Sequence, residues 1–304
     1  MRSPETGATM NDDEHPADGA PQADHIRFLF DPHTTLVALA GHRRRFGSTV
    51  ASLTAEELAS PSRCRGWTVA DILRHGVWVD TTGRQLWSGD KSPTRGFDPR
   101  TTPDEFVRAD RVVHDEVIQQ RYLSSTETMI LELESAGPER FGNPSWSPAG
   151  RVPWWLSAVH LGWDSTVHER DALAPLGRAV EAPPDELAPT LAYSLVLATL
   201  FHRDPVHMQV GSVRIRRGGG PVTTWSTPAG DEQETEAVDS STDAATVLTG
   251  EPAAVIDALT GRVSLADTLR GDPAAVESMG GLARYFASAS PTPVTGGGGG
   301  GRRP

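Results

Sequence analysis

Three residues in the second third of the chain have types and spacing that could bind a metal ion. His160, Asp164 and His168 stand four residues apart, so on a helix their side chains share one face, about one turn from each other. An imidazole and a carboxylate on successive turns can converge on one divalent cation. Apolar residues flank this face, and ionisable groups there must be satisfied by a metal, an ion pair or water. The pattern therefore predicts either a metal site or a simple pair on the helix surface.

A third ligand has to come from another part of the chain, and His75 is the best candidate. It lies on the apolar stripe of a second predicted helix, between Ile72 and Val79, where a surface residue is not expected. A histidine at such a position can also be a hydrogen-bonded core residue. Asp171 can be an ordinary salt-bridge partner for an arginine.

Five helices are expected to position these residues, because apolar stripes at helical spacing follow residues that favour helix starts. Helices of this length, joined by proline- and glycine-rich loops, favour an antiparallel bundle. Thr54 and Glu57 also have capping-box spacing. The predicted helices begin at Asp31-Pro32, at Thr68, after Thr102-Pro103, near Pro153 and at about Asp185; the third is expected to break near Ser124 and end at about Ser135, the fourth to end at about Leu173 and the fifth at about His202.

The pattern of polar and apolar residues changes after Pro205. Residues 206–216, 222–226 and 244–248 have strand-like patterns, and short helices are expected at about 252–259, 273–279 and 282–287. The predicted organisation is a disordered tail over 1–25, a metal-binding helical bundle over 26–180, a helix plus an α+β domain over 181–287, and a disordered glycine-rich tail over 288–304.

Composition excludes several classes of function. Among 304 residues, 28 basic and 40 acidic side chains give a net charge of −12, which argues against nucleic-acid binding by phosphate neutralisation. No run reaches the ~18 apolar residues of a membrane helix, and the N-terminus lacks the apolar core of a signal peptide, so a cytoplasmic protein without membrane partners is expected. The single cysteine, Cys64, excludes an internal disulfide. It lies in a Pro/Ser/Arg-rich loop, and a structural role is favoured over that of a nucleophile.

Two motifs stand in order along the chain: residues 59–75, ASPSRCRGWTVADILRH, and residues 164–171, DSTVHERD. They resemble the (S)RCxGWxVxDxxxH stretch and the later (E/D)xxxHxxD helix of the mycothiol-dependent maleylpyruvate isomerase family. A weaker similarity to the family's small C-terminal domain covers residues 248–262, LTGEPAAVIDALTGR, followed by Gly271-Asp272. Together the similar stretches span about residues 28–285.

The resemblance implies a fold of the α plus α+β class, with a DinB-like four-helix bundle followed by a small α+β C-terminal domain. It implies a divalent metal, zinc in the family, held by His75, Asp164 and His168. Asp164 is one methylene shorter than the glutamate that the best-characterised member of the family has at the matching position. Arg262 resembles a family arginine that faces the active site, which makes it a catalytic and cofactor-binding candidate, although it could also be a helix-end arginine that bonds terminal carbonyls. His160, one turn before the metal site, is a second catalytic candidate.

The activity implied is that of an isomerase or a thiol S-transferase with mycothiol as thiol cosubstrate and a small electrophile as substrate. The thiolate adds to an activated double bond, which rotates before the thiol leaves, or the thiol stays on the product. A non-catalytic small-molecule or partner-binding protein on the same bundle, or a metal-dependent hydrolase using bound water, would use the same residues. Iron, nickel or manganese also suits two histidines and a carboxylate. No oligomeric state is predicted.

Overall fold

The computed structural model describes residues 31–147, 150–178, 180–200, 212–216, 222–226, 248 and 250–287. Its helices are α1 (Pro32–Ala51), α2 (Ala55–Ala59), α3 (Val69–Trp87), α4 (Thr102–Asp110), α5 (Asp115–Glu134), α6 (Pro138–Phe141), α7 (Trp154–Leu173), α8 (Pro184–Leu200), α9 (Pro252–Leu259), α10 (Leu265–Thr268), α11 (Pro273–Ser278) and α12 (Gly281–Ala287). Its strands are β1 (Pro144–Ser147), β2 (Gly150–Pro153), β3 (Ser212–Arg216) and β4 (Val222–Ser226).

The predicted helix starts are explained by side chains that satisfy free backbone amides. At the start of α1, the Asp31 carboxylate accepts a 2.8 Å hydrogen bond from the Thr34 amide, and Pro32 needs no partner because it has no N–H. Helices α2 and α3 each begin with a complete capping box, formed by Thr54 with Glu57 and by Thr68 with Asp71. These starts are confirmed as predicted.

The prediction for the third helix was wrong about its break. The chain runs helically through Ser124, and the interruption lies earlier, at residues 111–114, between α4 and α5. His114 has an extended backbone (φ −59°, ψ 143°) and is the N-cap of α5. Asp115 and Glu116 then occupy the first turn, where negative charge is favoured by the helix dipole.

Sequence reasoning also missed a short hairpin before α7. Strands β1 and β2 pair antiparallel, with Ser145 opposite Val152 and Trp146 opposite Arg151. Pro153 ends β2 and is the N-cap of α7. The predicted helix start near Pro153 is therefore correct, and the hairpin determines how the chain enters α7.

Four long helices form the core. Helix α1 packs against α5 and α7, and α3 packs against the same two helices. Buried apolar side chains such as Leu39, Phe46 and Ile72 fill the space between them. Gly162 lets α7 approach α1 closely, because a Cβ there would collide with the Leu39 side chain. The prediction of a mostly helical protein is confirmed.

Helices α8 to α12 form the last part of the described chain. Helix α8 packs on α1, α7, α9 and α12, and β3 pairs antiparallel with β4. The helices predicted near residues 252, 273 and 282 are present. The strand predictions for residues 206–211 and 244–247, the end of the fifth helix at 201–202 and both predicted disordered tails lie outside the described residues.

Among the described residues, no helix has the length and hydropathy that a membrane span requires.

Candidate metal centre

The packing of α3 against α7 brings the three predicted metal ligands together. His75 comes from α3, whereas Asp164 and His168 lie one turn apart on α7. One potential ligand atom from each residue lies within 4.8 Å of the other two. His75 Nε2 is 3.4 Å from Asp164 Oδ2, and His168 Nε2 is 3.7 Å from Asp164 Oδ1. We call these three residues the metal triad.

The spacing and chemistry of the metal triad fit a divalent metal. Two ligands held 2.0–2.1 Å from a tetrahedral zinc ion lie about 3.3 Å apart, close to the distances seen here. Both distances are long for a charge-assisted hydrogen bond. The three side chains are only 6%, 17% and 15% exposed. Two imidazoles and one carboxylate form a donor set typical of catalytic zinc, which keeps a fourth position for another ligand.

The electrostatics of the metal triad favour a cation at its centre. Burial raises the pKa of Asp164, but the neighbouring His75 and His168 lower it more, and the net pKa lies well below its usual range. Burial lowers the pKa of His168, yet the Asp164 carboxylate raises it well above its ordinary value. The carboxylate therefore holds positive charge beside it, which a metal ion can supply in place of a proton.

Asp171 holds the ring of His168 from the side opposite the metal triad. His168 Nδ1 lies 3.1 Å from Asp171 Oδ2, so its Nε2 is directed towards Asp164. A carboxylate on the far nitrogen of a ligand histidine fixes the tautomer and orientation of the ring. Burial raises the pKa of Asp171, but hydrogen bonds from His168 and Arg262 hold it below its usual range.

Arg262 reaches the site from the loop after α9 and contacts Asp171 rather than the metal triad. Its Nε and Nη2 donate to the two carboxylate oxygens of Asp171 at 3.1 and 2.6 Å. Its Nη1 donates to the Thr260 carbonyl at 2.6 Å, at the end of α9. The salt-bridge interpretation of Asp171 and the helix-end interpretation of Arg262 are both confirmed, and the arginine also lines the cleft described below.

His160 lies beside the metal triad and outside its ligand group. Its ring stacks on Trp163, with centroids 5.6 Å apart and an interplanar angle of 23°. Burial lowers the pKa of His160 to about 4, so the ring is neutral at pH 7. Its Nδ1 is buried and has no hydrogen-bond partner among the described residues.

Cys64 is a site neighbour that sequence reasoning missed. Its Sγ lies 3.7 Å from His168 Nδ1 and donates to Asp171 Oδ2 at 3.2 Å. No local signal could have shown this contact, because 104 residues separate Cys64 from His168. Cys64, His168 and Asp171 also lie within metal-binding distance of one another. The Arg262 guanidinium already places a positive charge 3.7 Å from Sγ, which disfavours a second cation there.

The metal triad lies at a cleft of about 1090 Å³. Side chains from the loop before α3, from α3, from α7 and from the segment after α9 line this cleft, and its aromatic members are Trp67, Trp78, Phe97, Trp146, Trp163 and Tyr285. His160 and Arg262 line it as well. A small molecule in the cleft can therefore reach the metal triad.

Comparison with known proteins supports the interpretation of the motifs. Residues 39–173 match the family model described as the mycothiol maleylpyruvate isomerase N-terminal domain, a range that contains the whole metal triad. Two solved structures are similar: a crystal structure of the mycothiol-dependent maleylpyruvate isomerase, with a TM-score of 0.55, and a histidine-to-alanine mutant of it, with a TM-score of 0.53. Each is 13% identical in sequence and covers 80% of this chain and 93% of its own. No curated protein matches the chain.

Proposed function

The helical domain of this chain belongs to the mycothiol-dependent maleylpyruvate isomerase family, and from that premise we propose that the protein is an isomerase or thiol S-transferase that uses mycothiol and a divalent metal. The observation that carries the proposal is the convergence of His75, Asp164 and His168 at a cleft open to small molecules. We further propose that α1, α3, α5 and α7 are the four helices of a DinB-like bundle, and that the chain from residue 181 to 287 is the small C-terminal domain. The predicted cytoplasmic location is part of the same proposal.

The metal triad would hold the ion, with zinc the first candidate. When bound, a divalent metal supplies a Lewis acid that favours the ionised form of a thiol at neutral pH. Asp171 holds the His168 ring so that Nε2 keeps its lone pair for a ligand bond. Arg262 in turn fixes both oxygens of Asp171.

The side chains around the metal triad suit an addition reaction. The sulfur of mycothiol forms a bond to the electrophilic carbon, and the neighbouring carbon of the former double bond takes up a proton. Isomerisation requires the same steps in reverse after rotation about the single bond, whereas transfer stops at the thioether. Burial keeps the His160 ring neutral at pH 7, and its buried Nδ1 has no hydrogen-bond partner among the described residues, so we assign it a hydrogen-bonding role towards mycothiol or substrate rather than the role of holding that proton. The guanidinium of Arg262 lines the cleft, but its charge is paired with Asp171, so its role in the proposal is to position Asp171 and, through it, the His168 ring.

Metal content and turnover together test the proposal. We expect about one equivalent of metal in the purified protein and loss of that metal in His168→Ala. His114→Ala is the matched control, because His114 is an exposed histidine at the start of α5, far from the metal triad in sequence. Turnover is measured as loss of free mycothiol with a panel of electrophiles, and as isomerisation of an activated cis alkene.

Each outcome separates the candidates. Thiol-dependent turnover that is lost in His168→Ala supports the proposal. Turnover of esters or amides without thiol would select the hydrolase instead, and bound metal without turnover of any electrophile would select a binding protein. Sub-stoichiometric metal in both wild type and variant would overturn the metal site itself.

A further inference from the structure

One wall of the cleft is a continuous row of aromatic rings that starts at the metal triad. The Trp67 ring centroid lies 5.3 Å from that of His75 and 6.1 Å from that of His168. The Trp78 ring lies 5.7 Å from His75 on the next turn of α3. Phe97 continues the row, with its centroid 6.1 Å from Trp78 at an interplanar angle of 31°. We call Trp67, Trp78 and Phe97 the aromatic wall.

Neighbouring side chains hold the aromatic wall in place. The Trp67 indole N–H donates a 2.6 Å hydrogen bond to Asp104 Oδ1. Phe106 stacks on Trp78 with centroids 4.8 Å apart and an interplanar angle of 24°, and it is not among the side chains that line the cleft. The rings of the wall therefore keep their positions without a ligand, so binding does not include the free-energy cost of ordering them.

The aromatic wall is partly exposed to the cleft. Trp67, Trp78 and Phe97 are each of intermediate burial. Apolar ring surface left in water is unfavourable, and a ligand that covers it recovers that free energy. A flat aromatic ring covers it best, because aromatic pairs prefer offset-stacked or edge-to-face contact.

Most of the positive charge that lines the cleft is already paired. Arg63 binds Asp257 at 3.1 Å, Arg100 binds Asp98 at 2.9 Å and Arg262 binds Asp171 at 2.6 Å. Arg65 is exposed at the cleft and has no ion-pair partner among the residues that the structure describes. A substrate with several negative charges would have to compete with these aspartates, whereas a substrate with one can use Arg65.

We propose that the electrophile is a flat aromatic molecule with at most one anionic group, and that its ring lies against Trp78 and Phe97. This inference rests on the proposed function, since it names the substrate class of the same site. A small aliphatic dianion would leave the wall in contact with water and would find few unpaired cations.

Binding of unreactive probes tests this inference without metal or thiol. We would titrate 2-naphthoate, its saturated analogue decalin-2-carboxylate, and fumarate into the metal-free protein, using calorimetry and tryptophan fluorescence. We expect 2-naphthoate to bind at least about tenfold more tightly than either other acid, since an aromatic pair adds roughly one factor of ten. Equal binding of the saturated acid, or tighter binding of fumarate, would overturn the inference.

A matched pair of phenylalanine variants localises the probe. Phe97→Ala removes a ring that lines the cleft, and we expect about tenfold weaker binding of 2-naphthoate. Phe141→Ala removes a partly buried ring of α6 that does not line the cleft, and the affinity should stay within about threefold. Circular dichroism checks folding, and Phe97→Leu, which keeps apolar volume, replaces Phe97→Ala if that variant does not fold.

The outcomes also distinguish this inference from the proposed function. Unchanged binding in the folded Phe97 variant, or equal losses in both variants, would overturn the assignment of the ring site while leaving metal-dependent turnover untouched. Conversely, tight aromatic binding together with sub-stoichiometric metal in the protein as purified would retain the aromatic site and overturn the proposed function.

Discussion

Helix α7 carries ionisable side chains on two sides, and the two groups are built differently. On the side of α3 lies the metal triad. On the side of α1 and α8, Glu169 is fully buried and meets Arg45, with oxygen to nitrogen distances of 2.5 and 3.0 Å. Arg45 also donates to Glu186 at 2.7 Å and to His42 Nδ1 at 3.2 Å. We call these four residues, His42, Arg45, Glu169 and Glu186, the ion-pair cluster.

The difference between the two groups is in how their charges are satisfied. In the ion-pair cluster an arginine lies within hydrogen-bonding distance of both carboxylates, and its pairs are short. In the metal triad the carboxylate faces two imidazoles at 3.4 and 3.7 Å, at a cleft rather than in a closed interior. Charges that are fully paired, as in the ion-pair cluster, maintain structure. Metal-ligating atoms that converge at a cleft, as in the metal triad, suit the binding of a ligand. The comparison implies that substitutions in the two groups should affect different properties.

The largest effect is expected from Asp164→Ala. It removes the one carboxylate of the metal triad, and we expect kcat/KM for thiol addition to fall about a thousandfold, because Lewis-acid stabilisation is worth several kcal/mol. The unfolding free energy of the metal-free protein should fall, since Asp164 also pairs with the imidazoles, but by less than in Arg45→Met, because the imidazoles left behind can lose their protons. Steady-state kinetics and urea unfolding in the presence of a chelator measure the two quantities. A variant that unfolds readily but keeps its activity would remove the distinction between the groups.

Arg45→Met should have the opposite profile. It leaves Glu169 buried without its cation, and breaking such a pair costs about 2–4 kcal/mol after allowance for the partial exposure of Arg45. Urea unfolding should show this loss, and elemental analysis should show unchanged metal content per folded molecule. Loss of metal with no loss of stability would show that the cluster belongs to the site.

Asp171→Asn tests whether the carboxylate that holds the His168 ring affects metal binding. Loss of the carboxylate behind a ligand histidine weakens metal binding about 10–100-fold, and competition with a chromophoric chelator measures this. Asp257→Asn is the control, because Asp257 is also a mostly buried aspartate held by arginines, Arg63 and Arg170. It shares Arg63 with Asp171, and among the described residues it has no contact with His168. Equal weakening in both variants would point to a general loss of structure.

Asp257→Asn itself should lower the unfolding free energy by about 1.5–3 kcal/mol, the typical contribution of hydrogen bonds to a charged group. Burial raises the pKa of Asp257, but bonds from Arg170 and Arg63 lower it below its ordinary value of 3.8. A carboxyl group whose pKa is lower in the folded than in the unfolded state stabilises the fold. Its contribution is fully present above the pKa of the unfolded state and is lost as the pH falls through the pKa of the folded state. The difference in unfolding free energy between the wild type and the variant should thus be constant from pH 8 to pH 5 and should become smaller below about pH 4. A difference in unfolding free energy that increases at acidic pH would contradict the stabilising role of the Asp257 carboxylate.

Local sequence signals identified the parts of the fold and site that depend on near neighbours. The capping residues Asp31 and Thr68 placed the starts of α1 and α3 correctly. Four-residue spacing placed Asp164 and His168 on one face of α7, and the apolar stripe of α3 pointed to His75. Each of these inferences needs only helical periodicity and the cost of burying a polar group.

The parts that sequence reasoning missed depend on contacts between distant segments. Cys64 reaches His168 because the loop before α3 bonds to α7, with the Arg63 amide donating to the Asp171 carbonyl at 2.9 Å. The ion-pair cluster joins α1 to residues more than 120 positions away. The break after α4 was misplaced because a single extended residue, His114, decides it. No spacing rule within one helix contains this information.

The bond between Arg262 and Asp171 makes α7 and the segment after α9 interdependent. A guanidinium supplied after α9 fixes the carboxylate that orients the His168 ring on α7. The C-terminal segment is thus not a module that can be exchanged freely. A chimaera would keep the geometry around His168 only if the incoming segment delivered an equivalent cation to the same carboxylate.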